Sequence, residues 1–234
     1  MVHSNVSAKG IAVIGGTGHQ GYGLALRWAK AGGHIFIGSR ERAKARAAAD
    51  RVREVVGSSA RVEGLENAEA ASRTDLIVLT VPFAAQTRTL KSLQTGLNSG
   101  DTLVDVTVPL ESAVGGNFTR VLGVWAGSAA EQAARVVGDG VHVVSAFHNI
   151  GSGLLTDLTK PVDCDVIVCG DHSESKEKVR SLVGLMSPAG FVDGGPLENS
   201  RIVESLTALL LSVNMRYKVH SVGIRVTGLP DSSQ

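Results

Sequence analysis

Short apolar, β-branched runs alternate along this chain with stretches whose apolar positions recur every three or four residues. Ile11 to Ile14 is the first such run and ends in glycines, and residues 22–31 follow with helical spacing at Leu24, Leu26, Trp28 and Ala29. The same alternation predicts further strands at 34–37, 75–81, 102–106 and 142–146, separated by helices at 41–56, 84–97 and 128–137. Strands that are apolar throughout and separated by helices imply a parallel sheet covered on both faces. Residues 147–163 read as loop. A strand at 165–169, a helix at 173–186 and a short strand at 191–193 come next. The longest periodic stretch is 197–219, where Ile202, Val203, Leu206, Leu209, Leu210 and Val213 predict a buried helix opened by Pro196. Residues 231–234 are expected to fray.

The first strand runs into Gly15-Gly16-Thr17-Gly18-His19-Gln20-Gly21, a G-x-G-x-x-G placed between a strand and a helix. In that setting Gly16 makes the tight turn, Gly18 lets the backbone approach a pyrophosphate, and Gly21 allows the helix to pack closely. The helix N-terminus attracts the negative charge, and Thr17 and Gln20 can add side-chain bonds. At the end of the second strand, where an NAD site usually carries an acid, the chain reads Gly38-Ser39-Arg40-Glu41-Arg42-Ala43-Lys44. A hydroxyl, a guanidinium and the Lys44 amine suit a 2′-phosphate, so NADP is the expected cofactor. The fold expected is α/β, a Rossmann-type doubly wound, mainly parallel sheet. Residues 1–150 are read as the NADP-binding domain and 151–234 as a small C-terminal lobe completing an acceptor cleft.

Composition narrows the function classes. A formal net charge of +1 and aromatic content of 4% argue against a nucleic-acid partner, which would select a basic face or stacking platforms. No apolar run approaches the roughly 20 residues of a membrane span, and the first ten residues lack the apolar stretch of a signal peptide. The cytoplasm is therefore the expected location. Cys164 and Cys169 have no metal-ligand spacing around them, which leaves two reduced cysteines in or beside a strand.

No acid-base machine stands out. Neither Tyr22 nor Tyr217 has the lysine four residues on that short-chain dehydrogenase chemistry needs, and no nucleophile-elbow pattern occurs. Direct hydride transfer between two stacked rings needs no such machine; it requires proximity, face selection and exclusion of water.

Several stretches together resemble the NADPH-dependent reductases of the deazaflavin coenzyme F420. They are Ile14 to Gly18, Gly38-Ser39-Arg40, Leu79-Thr80-Val81-Pro82, Ser128 to Glu131, Val144 to Ile150, Val168 to Asp171 and Gly195 to Thr207. The resemblance implies hydride exchange between NADP(H) and coenzyme F420 as co-substrate, with no catalytic side chain and no metal. It gives Thr17, Ser39 and Arg40 to the NADP phosphates and Pro82 to the wall near the nicotinamide. His148, Asn149 and Ile150, with Ser205 and Thr207, fall to the deazaflavin side, with His148 expected at the mouth of the cleft. Ile150-Gly151-Ser152 stands where the family is expected to read Ile-Pro-Ala, and residues 108–124 also depart from its pattern. Two other readings stay open: an NADPH-dependent flavin or ferric reductase on the same fold, and a non-catalytic NADP sensor. A homodimer is expected from apolar surface left over on the C-terminal helix.

Overall fold

The computed structural model describes residues 9–230; the expected frayed tail, and most of the N-terminal stretch read for a signal peptide, lie outside them. Eight strands form one sheet: β1 (Ile11–Ile14), β2 (Ile35–Ser39), β3 (Val62–Glu66), β4 (Leu76–Leu79), β5 (Thr102–Asp105), β6 (His142–Ser145), β7 (Asp165–Gly170) and β8 (Gly190–Asp193). Their order is β3-β2-β1-β4-β5-β6-β7-β8. The order reverses between β1 and β4, and at that switch point a doubly wound sheet opens a crevice. The helices are α1 (His19–Lys30), α2 (Arg42–Val56), α3 (Asn67–Ser72), α4 (Phe83–Leu93), α5 (Ala129–Val137), α6 (Ser152–Thr156), α7 (Ser173–Gly184), α8 (Ser200–Val203) and α9 (Ser205–Tyr217).

Alternation along β1 divides the core. Ile11 and Val13 face the apolar side chains of α1, α2 and α7, whereas Ala12 and Ile14 face those of α3, α4 and α5. Burial on both faces explains why these strands read as unbroken apolar runs. Trp28 is fully buried, meets Phe147 edge to face at 5.7 Å and donates its Nε1–H to the Leu182 carbonyl. Its one polar atom is thereby satisfied inside the core.

The sheet is mainly parallel, as expected: the strands run parallel from β3 through β6, β7 enters antiparallel to β6, and β8 lies parallel to β7. The C-terminal stretch thus supplies two strands of the common sheet. Strand β3 and helix α3 carry no apolar signal, because β3 is an edge strand with outward glutamates and holds Gly64 where the α2 backbone presses against it. Residues 147–163 include the short helix α6, which the Arg27 guanidinium fastens by donating to the carbonyls of Leu154, Leu155 and Asp157.

The largest correction concerns the C-terminal segment. Residues 197–219 are not one buried helix: a 3₁₀ turn at Leu197–Asn199 leads into α8, a break at Glu204, and then α9. Ile202 and Leu209 are exposed, and Ala208 is the only buried residue of α9. Apolar periodicity reports an amphipathic helix without telling whether its apolar face meets core or solvent. Polar residues hold this segment instead. The Glu204 carboxylate accepts the backbone N–H groups of Ala129 and Ala130 at 2.9 and 3.0 Å, satisfying orphan donors of α5. Ser200 Oγ meets Ser145 Oγ at 2.7 Å, and Arg201 grips Glu131 with two nitrogens.

The glycine turn is clamped to the end of β4. Gly15 has φ of 77°, and a Cβ there would stand 2.7 Å from Val81 Cγ1. At Gly21 a Cβ would overlap Thr80 Oγ1 and lie 2.9 Å from Gly16 Cα. We therefore predict that Gly21→Ala lowers the unfolding free energy by about 1–3 kcal/mol, the usual cost of overpacking. Urea unfolding reads this directly, and a midpoint equal to that of the parent would show the contact to be soft.

Candidate active site

Two cavities open at the switch point, and Gly18, Thr80, Val81 and Pro82 line both. The first, of about 230 Å³, also takes in Gly15, Thr17, Ser39, Arg40, Lys44 and Asn67. The second, of about 500 Å³, reaches across to His148, Ile150 and Thr207 and includes Gln20, Thr107 and Leu211.

Helix α1 begins at Gly18 with no side-chain cap and no acid in its first turn. Gly18 is exposed and lines the first cavity. The free N–H groups of that turn, together with the helix dipole, make the cradle an anion site. Ser39 is buried and accepts the Glu41 N–H at 3.3 Å, which turns its hydroxyl toward the start of α2. Arg40 is exposed beside it. Lys44 lines the same cavity but bonds to Glu41 Oε1 at 2.6 Å, so its charge is partly offset there. Gly16 and Gly21 are buried in the turn and touch neither cavity; their part is to let the backbone close.

The other predicted residues divide. Gln20 donates its side chain to the carbonyls of Ile150 (3.1 Å) and Phe147 (3.4 Å), so it joins the glycine turn to the 147–150 segment. His148, Ile150 and Thr207 stand together on the second cavity. Thr207 Oγ1 donates to the His148 carbonyl at 2.7 Å, so α9 fixes the backbone from which the imidazole projects. Asn149 is buried and donates to the Asp165 carbonyl at 2.6 Å; it lines only a small cavity behind the second. Ser205 donates to the Arg201 carbonyl across the break between α8 and α9 and lines none of these cavities.

His148 is not at the mouth. It is 5% exposed, and neither ring nitrogen makes a hydrogen bond among the described residues. Burial pushes its pKa down to about 4 against the opposing influence of the Asp105 carbonyl, so the ring is neutral at pH 7. A neutral imidazole offers one donor and one acceptor. Thr107 Oγ1 is likewise buried without a partner on the same cavity, and Asn67 Oδ1 is so beside the first. Buried polar groups are rarely left orphaned, and each costs about 1–3 kcal/mol while it is.

The chain places His148 there through an unusual turn. Phe147 holds φ of 65°, uncommon for a bulky residue, while its ring is fully buried against Trp28. The core thus anchors one side chain while the backbone reverses to present the next. Beneath the second cavity lies a buried carboxyl, Asp105, which accepts from Gln86 Nε2 at 2.5 Å and from the Thr107 N–H at 2.8 Å. Burial pushes Asp105 up to about 6 and Glu204 up to about 8, in both cases against hydrogen bonds that favour the ionised form.

Thr80, Asn67, Thr107 and Leu211 line the cavities without having been read as site residues. Thr80 lay inside a recognised strand-end motif. Asn67 sat in the stretch that gave no element, and Thr107 and Leu211 carry no chemical signal in sequence; only the fold turns them inward.

Comparison with known proteins agrees with this geometry. The family model for F420-dependent NADP oxidoreductases matches residues 10–109, from the start of β1 past the end of β5. The F420-dependent NADP reductase of Methanothermobacter thermautotrophicus is 45% identical over 223 residues, covering 94% of this chain and 96% of that protein. The enzyme of the same name from Methanocaldococcus jannaschii is 43% identical, with 94% and 98% covered. A solved structure from Arthrobacter sp. FB24, described as a candidate F420-dependent NADP-reductase, superposes with a TM-score of 0.78 at 22% identity, covering 93% of this chain and 99% of that one, and so supports the fold. With near-complete coverage at such identity, and a dinucleotide cradle sharing a wall with a second cavity, the chain belongs to the family of F420-dependent NADP reductases.

Proposed function

We propose that the protein is an oxidoreductase that exchanges a hydride between NADP(H) and the deazaflavin coenzyme F420. The observation that carries this reading is the wall of Gly18, Thr80, Val81 and Pro82 common to both cavities. Two rings bound on either side of one wall can be brought to the roughly 3–3.5 Å that direct transfer requires. When bound, the nicotinamide supplies or takes the hydride and the deazaflavin ring is its counterpart. The chain's own residues bind, orient and exclude water.

In this reading residues 1–150 form the NADP-binding part and 151–234 complete the acceptor cleft, a division of labour laid over one continuous sheet. The backbone of Thr17 and Gly18, with the first N–H groups of α1 at Gln20, cradles the pyrophosphate, while Gly16 and Gly21 let the turn close beneath it. Ser39, Arg40 and Lys44 take the 2′-phosphate, and Pro82 closes on the nicotinamide. The unpartnered imidazole of His148 bonds the polar edge of the deazaflavin, Ile150 packs against its ring, and Thr207 holds the His148 backbone. Asn149 and Ser205 support this wall from outside the cavity. An NADP-sensing role alone would leave the second cavity and its orphaned polar atoms without purpose.

The family's chemistry and the two buried, unpaired cysteines favour a cytoplasmic setting. The exposed Ile202 and Leu209, on the face of the C-terminal segment turned away from Thr207, favour a homodimer. Light scattering should return twice the chain mass, and a monomer would end that part of the reading.

NADPH should bind in strong preference to NADH. Arg40→Ala should weaken NADPH binding about tenfold or more, since a charge-assisted contact is worth about 1.5–3 kcal/mol, and should leave NADH nearly unmoved. Calorimetric titration measures both, and equal wild-type affinities would defeat the NADP assignment. Anaerobic mixing with NADPH should bleach the oxidised deazaflavin at catalytic enzyme concentration. His148→Ala should raise the deazaflavin KM while NADPH affinity stays put. Steady turnover of free flavin or ferric chelate without deazaflavin bleaching would move the function to those acceptors.

A further inference from the structure

Beneath the second cavity lies a carboxyl that none of the binding roles above uses. Asp105 is fully buried at the end of β5. Its Oδ1 accepts the Thr107 N–H at 2.8 Å, and its Oδ2 accepts from Gln86, whose amide is fixed in turn by the Ala129 carbonyl and by Gln132. Only neutral donors hold it. The titratable groups that face it are His148, from the turn after β6, and Glu204, from the break before α9; Glu131 stands behind Glu204 and is gripped by Arg201. Strand β4 brings Leu79 against it and helix α4 brings Gln86. A carboxyl so placed keeps a proton more readily than an exposed one, because burial disfavours its charge and no cation offsets that cost.

Asp105 does not reach the cavity, but Thr107, which bonds to it, does. The Thr107 hydroxyl lies near enough to the carboxyl to counter part of the effect of burial, yet it lies off the line of a hydrogen bond and has no partner in the free protein. A hydroxyl both donates and accepts, and its proton rotates to suit. Thr107 therefore has the carboxyl on one side and the cavity on the other.

Hydride exchange leaves a proton to be placed. When NADPH gives up its hydride it becomes the cationic NADP⁺, and a new C–H bond forms on the acceptor ring. The electron pair displaced from that ring's conjugated system settles on a ring nitrogen, which takes one proton per turnover. A cleft that excludes water for the sake of the hydride cannot draw this proton freely from bulk solvent. The hydride needs no side chain, but the proton does.

We propose that Thr107 and Asp105 form a proton relay for the acceptor: the Thr107 hydroxyl gives its proton to the ring nitrogen and takes the proton of the Asp105 carboxyl, which is left as a carboxylate and is reprotonated from water once the product leaves. The inference rests on the acceptor reading above and deepens it. Thr107 is then a catalytic residue that touches the acceptor, and Asp105 acts through it as the proton store. In the reverse exchange the same atoms carry the proton outward. With its pKa pushed up to about 6, Asp105 is mostly ionised at pH 7 in the free protein. A bound ring that seals the cavity raises it further, so binding itself draws the proton in.

Two measurements test the relay. Calorimetric titration of the oxidised deazaflavin without NADPH, repeated in buffers of different ionisation enthalpy, counts the protons taken up on binding. The wild type should take up about half a proton or more at pH 7 beyond what Asp105→Asn takes up; the ligand's own ionisable groups contribute equally to both. Thr107→Val keeps the shape of the side chain and removes its hydroxyl. Its kcat for anaerobic deazaflavin bleaching should fall about tenfold or more, since a positioned proton donor is commonly worth about a hundredfold or more. A solvent deuterium effect should appear in this variant while the effect of deuterium at the transferred C4 hydrogen of NADPH shrinks, because proton delivery then limits the rate. Thr107→Ser should restore the parent behaviour, and unaltered NADPH affinity shows that each variant is folded. If Asp105→Asn fails to fold, Thr107→Val decides by itself. Equal proton uptake by wild type and Asp105→Asn would overturn the relay, as would a Thr107→Val variant with parent kcat, or one whose loss comes with a larger C4 effect and no solvent effect, the mark of displaced rings. Absence of bleaching by the wild type would instead strike the acceptor reading itself.

Discussion

The close approach of the glycine turn to the end of β4 is the constraint on which the rest of the site depends. Gly21 and Gly15 lie so near Thr80 and Val81 that neither position has room for a side chain, and Thr80 Oγ1 donates to the Ile14 carbonyl at 2.8 Å across the same seam. This contact sets α1 against the sheet with its uncapped N-terminus over the crevice. It also makes one short wall the boundary of both cavities. Had the turn stood farther off, an anion cradle could still exist, but its bound ring would not share a surface with a second one.

The second cavity is built by a different kind of force. Its ceiling comes from a C-terminal segment with little apolar burial, held by hydrogen bonds: Glu204 to the first turn of α5, Ser200 to Ser145, Thr207 to the His148 carbonyl. Such bonds are directional where apolar burial is not, so they locate α9 relative to β6 with the accuracy a hydride acceptor needs. The polar atoms left over inside the cleft, on His148 and Thr107, are costs of the free protein that a bound ring can repay in hydrogen bonds. A neutral His148 serves this better than a charged one, because it accepts as well as donates.

The alternation of apolar runs and helical spacing made β1, β2 and β4 to β8 readable, and with them the Rossmann class, because strands buried on both faces and the helices covering them leave periodic marks. That the glycine turn and Ser39-Arg40 meet on one cavity was readable for a related reason: both follow directly on neighbouring parallel strands of the Rossmann sheet, so the strand order brings them together. Strand β3 and Asn67 left no such mark, since an edge strand has one solvated face and Gly64 is chosen by the helix pressing on it. The antiparallel entry of β7 was equally invisible, as direction is a matter of which strands pair.

The sequence alone supplied the groups on which the proposed chemistry draws: a glycine turn between strand and helix, a hydroxyl and a guanidinium at the end of β2, and the His148 and Thr207 motifs that resemble deazaflavin reductases. Only the tertiary structure decided where that chemistry stands. It buried His148 in the cleft where the mouth had been expected, turned the Gln20 side chain toward the acceptor wall, and exposed the face of α9 that periodicity suggested was core. Each of these depends on contacts between residues far apart in the chain, and periodicity within a single segment carries no record of what that segment will meet.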